Sequence, residues 1–231
     1  MPLGPVHGAG ARKRALCGVK FRITSQYSRA MSLTEYNFDR LHEAIQAADE
    51  RVFTNWRVVT GPPFSGKTTL VAALRDRGYP TIEDCGRRAI TEGLGQGQTK
   101  VEARSNYELL QERISELMHE EAATRAPRET VIWDYSFPDN LAYLAATGHG
   151  WADIHIRRAV QFRFKQTFLL QPVGEFNDLT DPVRAEPLAL RHQLYRVMKA
   201  VYECLGTSVI EIPALPLDDR VRIVENCLHS E

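Results

Sequence analysis

The sequence predicts an α/β protein of three layers, with a five-stranded, mainly parallel sheet flanked by helices. Three observations predict it. Short β-branched runs alternate with longer amphipathic segments, a glycine-containing turn joins the first strong strand to a helix, and a later apolar strand ends in a carboxylate. The expected strands are Arg57 to Thr60, Pro80 to Ile82, Thr130 to Trp133, Thr167 to Leu170 and Ser208 to Ile212, each short and apolar. Helical spacing places helices between them at Lys67 to Arg77, Arg87 to Glu92, Val101 to Ala123, Asp139 to Ala146, Ile154 to Gln161, Pro187 to Leu205 and Leu217 to Leu228. Ahead of the sheet, Leu33, Tyr36, Leu41, Ile45 and Ala48 recur at helical intervals behind a Ser32/Glu35 capping-box pattern, so Leu33 to Arg51 reads as a leading helix. Gly93 to Thr99 and Pro172 to Pro187 read as loops.

Residues 1–31 are rich in Gly, Pro, Ser and Arg, lack periodicity and form a basic extension, whereas residues 32–231 form the folded domain. The charge distribution marks the same division. All 29 acidic residues lie beyond position 34, together with 23 of the 29 basic ones, so the body is mildly acidic. That balance, without interleaved aromatic and basic residues, argues against a nucleic-acid partner. Cys17, Cys85, Cys204 and Cys227 show neither metal-ligand nor disulfide spacing and suit a reducing, cytoplasmic compartment. The basic, acid-free leader also fits a mitochondrial transit segment, with Met31 as an alternative start and a solvated tail as the third reading. No apolar run approaches the roughly 18 residues of a membrane span, so no integral membrane contact is expected.

The chemistry concentrates in Gly61-Pro62-Pro63-Phe64-Ser65-Gly66-Lys67-Thr68, which matches G-x-x-x-x-G-K-[ST] between a strand and a helix. The loop's amides and the positive helix end solvate a phosphate chain, and Lys67 adds a full charge. Thr68 offers a hydroxyl to Mg2+, and Thr69 continues the helix. The pattern predicts a nucleoside triphosphate with Mg2+ as cofactor. Asp134, closing the strand Val131-Ile132-Trp133-Asp134, reaches the edge where open α/β sheets bind ligands. It reads either as a second magnesium-side carboxylate or as a helix-capping aspartate. Glu83-Asp84 with Arg87-Arg88 reads as a proton acceptor with anion-binding arginines, or as a charged helix start. Arg184 lies in a polar loop from which a lid arginine could reach a transferring phosphoryl group. Arg157, Arg158, Arg163 and Lys165 are weaker candidates for that role. The histidines show no metal spacing.

With these residues laid out, the stretch from about Arg57 to Leu228 resembles the AAA-like P-loop ATPase/kinase family that includes NadR-type ribosylnicotinamide kinases. The resemblance rests on the P-loop, Leu74 to Pro80, Arg87-Arg88, Asp134 followed by Pro138-Asp139-Asn140-Leu141-Ala142-Tyr143-Leu144, Phe168-Leu169-Leu170, Leu205-Gly206 and Ile212 to Pro216. It implies a nucleoside- or nucleotide-kinase-like fold, ATP with magnesium, and phosphate transfer to a small metabolite or nucleoside-like hydroxyl. By position it favours Asp84 over Glu83 as base and places Pro213 and Leu215 at the adenine edge, where a purely structural loop explains them equally. The chain departs from the family at Tyr135 and Ser136, where the family commonly has Arg and Gly. Two functions therefore compete: an ATP-dependent small-molecule kinase using Lys67, Asp84, Asp134 and Arg184, and a nucleotide-dependent switch, with ATP or GTP, that has no small acceptor. The sequence is silent on oligomeric state.

Overall fold

The structure, a computed structural model, describes residues 38–95, 97, 106–173 and 188–230. In chain order the elements are α1 (Phe38–Ala47), β1 (Val52–Phe53), β2 (Arg57–Thr60), α2 (Lys67–Asp76), β3 (Thr81–Ile82), α3 (Cys85–Gly95), α4 (Tyr107–Ala123), β4 (Ile132–Asp134), α5 (Phe137–Ala146), α6 (Asp153–Gln161), β5 (Phe162–Arg163), β6 (Gln166–Leu170), α7 (Leu188–Cys204), β7 (Ser208–Ile212) and α8 (Leu217–His229).

Strands β3, β4, β2, β6 and β7 form one sheet in that order, and every pairing is parallel. Both faces are covered, so the inner strands are apolar throughout rather than alternating. Successive residues serve opposite layers. Val58, Trp133 and Leu169 join one core with α4 to α7, whereas Val59, Ile132, Phe168 and Leu170 join a second core with Leu70 and Leu74 of α2 and Val221 and Val224 of α8. On the first face Trp56, Trp133, Phe162 and Phe164 form a ring cluster with centroids 5.1 to 6.0 Å apart.

The sequence-predicted strands all appear, with β2 and β7 at their expected limits. Two further strands, β1 and β5, pair as a small parallel ribbon that the sequence did not signal, since two residues carry no periodicity. One loop assignment is corrected: Gly93 to Gly95 complete α3, because Glu92 and Arg88 are tied to Arg113, Glu120 and Glu121 of α4 and carry the helix through two glycines. The leading helix is seen from Phe38, and α4 from its Asn106 cap, whose side chain accepts the Leu109 N–H at 3.2 Å. Residues 1–37, 98–105 and 174–187 lie outside the described residues, and with them the predicted N-terminal extension and most of the second loop.

Candidate functional site

β2 runs out at Thr60, and the loop that follows wraps back on the carboxyl edge of the sheet. Gly61 takes φ +148°, and a Cβ there would stand 2.7 Å from the Leu170 carbonyl oxygen of the neighbouring strand. Phe64 is held at φ +63°, a conformation that costs an L-residue about 1 kcal/mol or more. Gly66 caps α2 at φ +86°. Glycine at the cap offers the helix's first amides no side-chain acceptor, and no acid sits in its first turn. The positive end of α2 is therefore left for an external anion. Lys67 folds its ammonium onto the Gly61 and Pro62 carbonyls at 2.8 and 3.1 Å, inside the curve of the loop.

Asp134 ends β4 one strand away and is almost wholly buried. It does not cap α5, whose cap is Ser136. Burial pushes its carboxyl up to about 6; the charge of Lys67, a hydrogen bond from the Thr68 hydroxyl and the charge of Arg87 pull it down, while Asp84 pushes it up. Its Oδ1 has no hydrogen-bond partner among the described residues. A buried carboxylate oxygen without a donor, beside a threonine hydroxyl, is a hard-oxygen pair of the type Mg2+ selects, so the residues fit that ion. Among the described residues no cluster of three His, Cys, Asp or Glu accompanies it.

Across from Asp134, Asp84 caps α3, its Oδ1 accepting the Gly86 and Arg87 N–H groups at 2.8 and 3.3 Å. Asp84 thus takes the helix-start place that one of its two sequence readings expected, and it lies within electrostatic reach of Asp134. Glu83 instead points to Arg75 at 2.9 Å, exposed and away from the loop. Arg88 turns to α4, whereas Arg87 is exposed, its charge reaching Asp134. Arg163 donates to the Gly206 carbonyl and Arg158 to Ser115. Arg163 and Lys165 precede β6 and so lie at the amino edge of the sheet, opposite the loop, which removes them as phosphate ligands. Arg184 lies outside the described residues.

Two arginines that sequence reasoning missed pack on the loop. Arg191 of α7, itself buried, lies over the Phe64 ring at 4.6 Å. Arg220 of α8 donates from Nη1 to the Ser65 carbonyl at 3.0 Å, and a Cβ on Gly66 would stand 2.7 Å from that nitrogen. Arg220 also walls a cavity of about 250 Å³, with Phe64, Gly66, Thr69, Ala214 and Leu215. Each arginine falls in an amphipathic helix among other charges, where nothing in the sequence distinguishes it from a surface residue.

A model of the AAA domain family matches residues 56–220, well over half of the chain. The chain belongs to the AAA domain family. This AAA domain is a P-loop nucleotide-binding domain with an α/β fold built on a five-stranded parallel sheet. Among solved structures it is similar to deoxyadenosine kinase from M. mycoides with bound dATP, at 10% identity over 75% of this chain and 98% of that one, with a TM-score of 0.49. It is also similar to the YorR protein of Bacillus subtilis in complex with phosphorylated GDP (14% identity, 75% and 95% covered, TM-score 0.44). A third is shikimate kinase from Aquifex aeolicus (12% identity, 76% and 96% covered, TM-score 0.42). No curated protein sequence matches it. No helix among the described residues is long and apolar enough to cross a membrane.

Proposed function

We propose that this AAA domain is a small-molecule kinase that transfers the γ-phosphate of Mg·ATP to a metabolite or nucleoside-like hydroxyl. The observation that carries the reading is the juxtaposition of an uncapped helix start bearing Lys67 with a buried, partnerless carboxylate oxygen on Asp134 and a second carboxylate, Asp84, opposite. The amides of α2 and Lys67 bind the β- and γ-phosphates. Thr68 and Asp134 would hold Mg2+, which when bound neutralises phosphate charge. Asp84 accepts the proton of the acceptor hydroxyl as its oxygen bonds to the γ-phosphorus, while the bond from that phosphorus to the bridging oxygen breaks and ADP departs. The Asp84 Oδ2, not engaged by the α3 cap, is the basic atom. Arg87 orients an anionic part of the acceptor, and Arg184 would neutralise charge on the transferring group.

The cavity beside Arg220 takes the base. At about 250 Å³ it is smaller than a complete drug-sized site of roughly 300–1,000 Å³ and suits one planar part of the ligand. Among the described residues its lining has no carboxylate to accept the ring N–H and amino donors of guanine, which favours adenine. One observation favours the alternative, a nucleotide-dependent switch. Tyr135, where the resembling family has arginine, is buried with its hydroxyl donating to Asn140 Oδ1 at 2.6 Å and gives no cation to the phosphates.

A panel of hydroxyl-bearing metabolites, including nicotinamide riboside and nucleosides, tests the choice. The kinase reading expects one class to raise Mg·ATP consumption well above the rate with water and to appear as a phosphorylated product. Binding of Mg·ATP that depends on Lys67, with no stimulation by any member, would transfer the assignment to the switch.

A further inference from the structure

The Pro138-Asp139-Asn140 segment is unusual in its sequence and takes no part in the mechanism above, yet it is wholly buried behind the site. Asp139 has no exposed surface, and its carboxylate collects donors from three separate elements. The Thr60 hydroxyl donates to Oδ1. The Ser136 N–H and the Tyr202 hydroxyl both donate to Oδ2 at 2.8 Å. Ser136 Oγ closes the network on the Tyr202 oxygen at 2.9 Å. Each donor has a position that matters. Thr60 is the residue before Gly61, where the phosphate loop begins. Ser136 lies two residues after Asp134, across Tyr135, which is forced to φ +76°. Tyr202 belongs to α7, the helix that lays Arg191 over Phe64.

A bulky residue at positive φ persists only where its surroundings over-determine it. Here the next residue's amide is held by Asp139 and the Tyr135 hydroxyl by Asn140, so the first turn of α5 grips the strained link from both sides. The Ser136 N–H bond is the return half of a capping box at the start of α5. The bonds from Thr60 and Tyr202 go beyond what a helix start needs, and burying a carboxylate with no cation in contact among the described residues costs several kcal/mol before its hydrogen bonds offset it. Burial accordingly pushes the Asp139 carboxyl up to about 6, with the bonds from Thr60, Ser136 and Tyr202 and the charge of Lys67 opposing it.

We propose that Asp139 is a positioning residue that fixes the entrance of the phosphate loop and the turn behind Asp134 in one register, so that the triphosphate cradle and the magnesium-side carboxylate are presented together. The proposal rests on the nucleotide reading above and adds a residue that touches neither ligand. It makes the two ties separable. The Thr60 bond sets the loop, and the Ser136 bond sets Asp134.

The test is titration calorimetry with ATP, with and without Mg2+, on the full chain, well below the unfolding temperature of each variant. Thr60→Val removes one donor without changing shape and should weaken ATP binding about tenfold, equally with and without Mg2+, which is the size of one hydrogen bond to a charged acceptor. Thr60→Ser keeps the hydroxyl and should bind like the wild type. Asp139→Ala loosens both ties and should in addition shrink the gain in affinity that Mg2+ confers, by about fivefold or more, a ratio that a general loss of stability leaves unchanged. If Asp139→Ala does not fold, the threonine pair decides alone. Thr60→Val binding within about twofold of the wild type would overturn the proposal while leaving the nucleotide reading intact. A folded wild type that binds no Mg·ATP would overturn the nucleotide reading and this proposal with it.

Discussion

Replacing Asp134 by Asn should make the ligand-free protein relatively more stable as pH rises, while abolishing its use of magnesium. The carboxyl is raised from 3.8 to about 6 by burial, a little over two pH units, each equivalent to 1.36 kcal/mol, so the ionised side chain costs the fold about 3 kcal/mol at neutral pH. The sign follows from proton linkage. The folded state holds the proton more tightly than the unfolded chain, so this group's contribution is most favourable below pH 4 and is lost as pH rises from about 4 through about 6. Roughly half of the loss, about 1.4 kcal/mol, falls between pH 5 and pH 7. Asparagine does not titrate, and the penalty for the amide it leaves without a partner does not depend on pH. Urea unfolding of the wild type and Asp134→Asn, with chelator and without nucleotide, at pH 5 and pH 7 cancels that constant. The free-energy difference between variant and wild type should move by about 1.4 kcal/mol in favour of the variant at pH 7. Parallel pH profiles would show that Asp134 is not held in a dry site and would remove the ground for calling it a stored charge awaiting a cation.

Other substitutions follow from the same geometry. Gly66→Ala puts a Cβ at φ +86° and 2.7 Å from Arg220 Nη1, so it should cost about 1–2 kcal/mol in unfolding and at least tenfold in Mg·ATP affinity; normal binding by calorimetry would refute the packing described at the loop. Asp84→Asn retains an acceptor for the α3 cap and should keep the melting temperature and Mg·ATP affinity, while acceptor-dependent turnover falls about 10²- to 10⁴-fold; unchanged turnover would reduce Asp84 to a cap. The Cys85 thiol, pushed up to about 12 by burial and by Glu121 and Asp84, should stay unalkylated by iodoacetamide at pH 8 in the folded protein, as peptide mass mapping would report.

What could be read in advance divides along sequence distance. β2 and β7 were legible to the residue because a short apolar run between polar flanks is a local signal, and the phosphate loop was legible because all of its fixed positions fall within eight residues. The extent of α3 was not, because glycines at 93 and 95 signal a break and the ion pairs that override them come from Arg113 on another helix. The same limit hid the rest of the site. Asp139 reads as the first residue of an ordinary helix until Thr60 and Tyr202, 79 and 63 positions away, are seen against its carboxylate. Arg220 reads as a surface charge until the Ser65 carbonyl, 155 positions earlier, is found on its guanidinium.

These charges have a joint consequence for binding. On one side of the cradle stand Lys67, the positive end of α2 and Arg220; on the other, Asp134 and Asp139 are buried and pushed toward protonation. A triphosphate alone brings negative charge close to Asp134, and a cation alone meets Lys67 and the positive helix end. Neither ion by itself relieves both sides. The two together do, since the phosphates answer the amides and Lys67 while Mg2+ answers the partnerless oxygen of Asp134. Binding of metal and triphosphate should therefore be mutually reinforcing, with each raising the affinity for the other by the same factor. That reciprocity gives Asp139 its value at the back of the site: its bond to Ser136 holds the turn that presents Asp134 to the metal, so its loss should lower the metal-linked part of the affinity, whereas its bond to Thr60 acts on the triphosphate cradle alone.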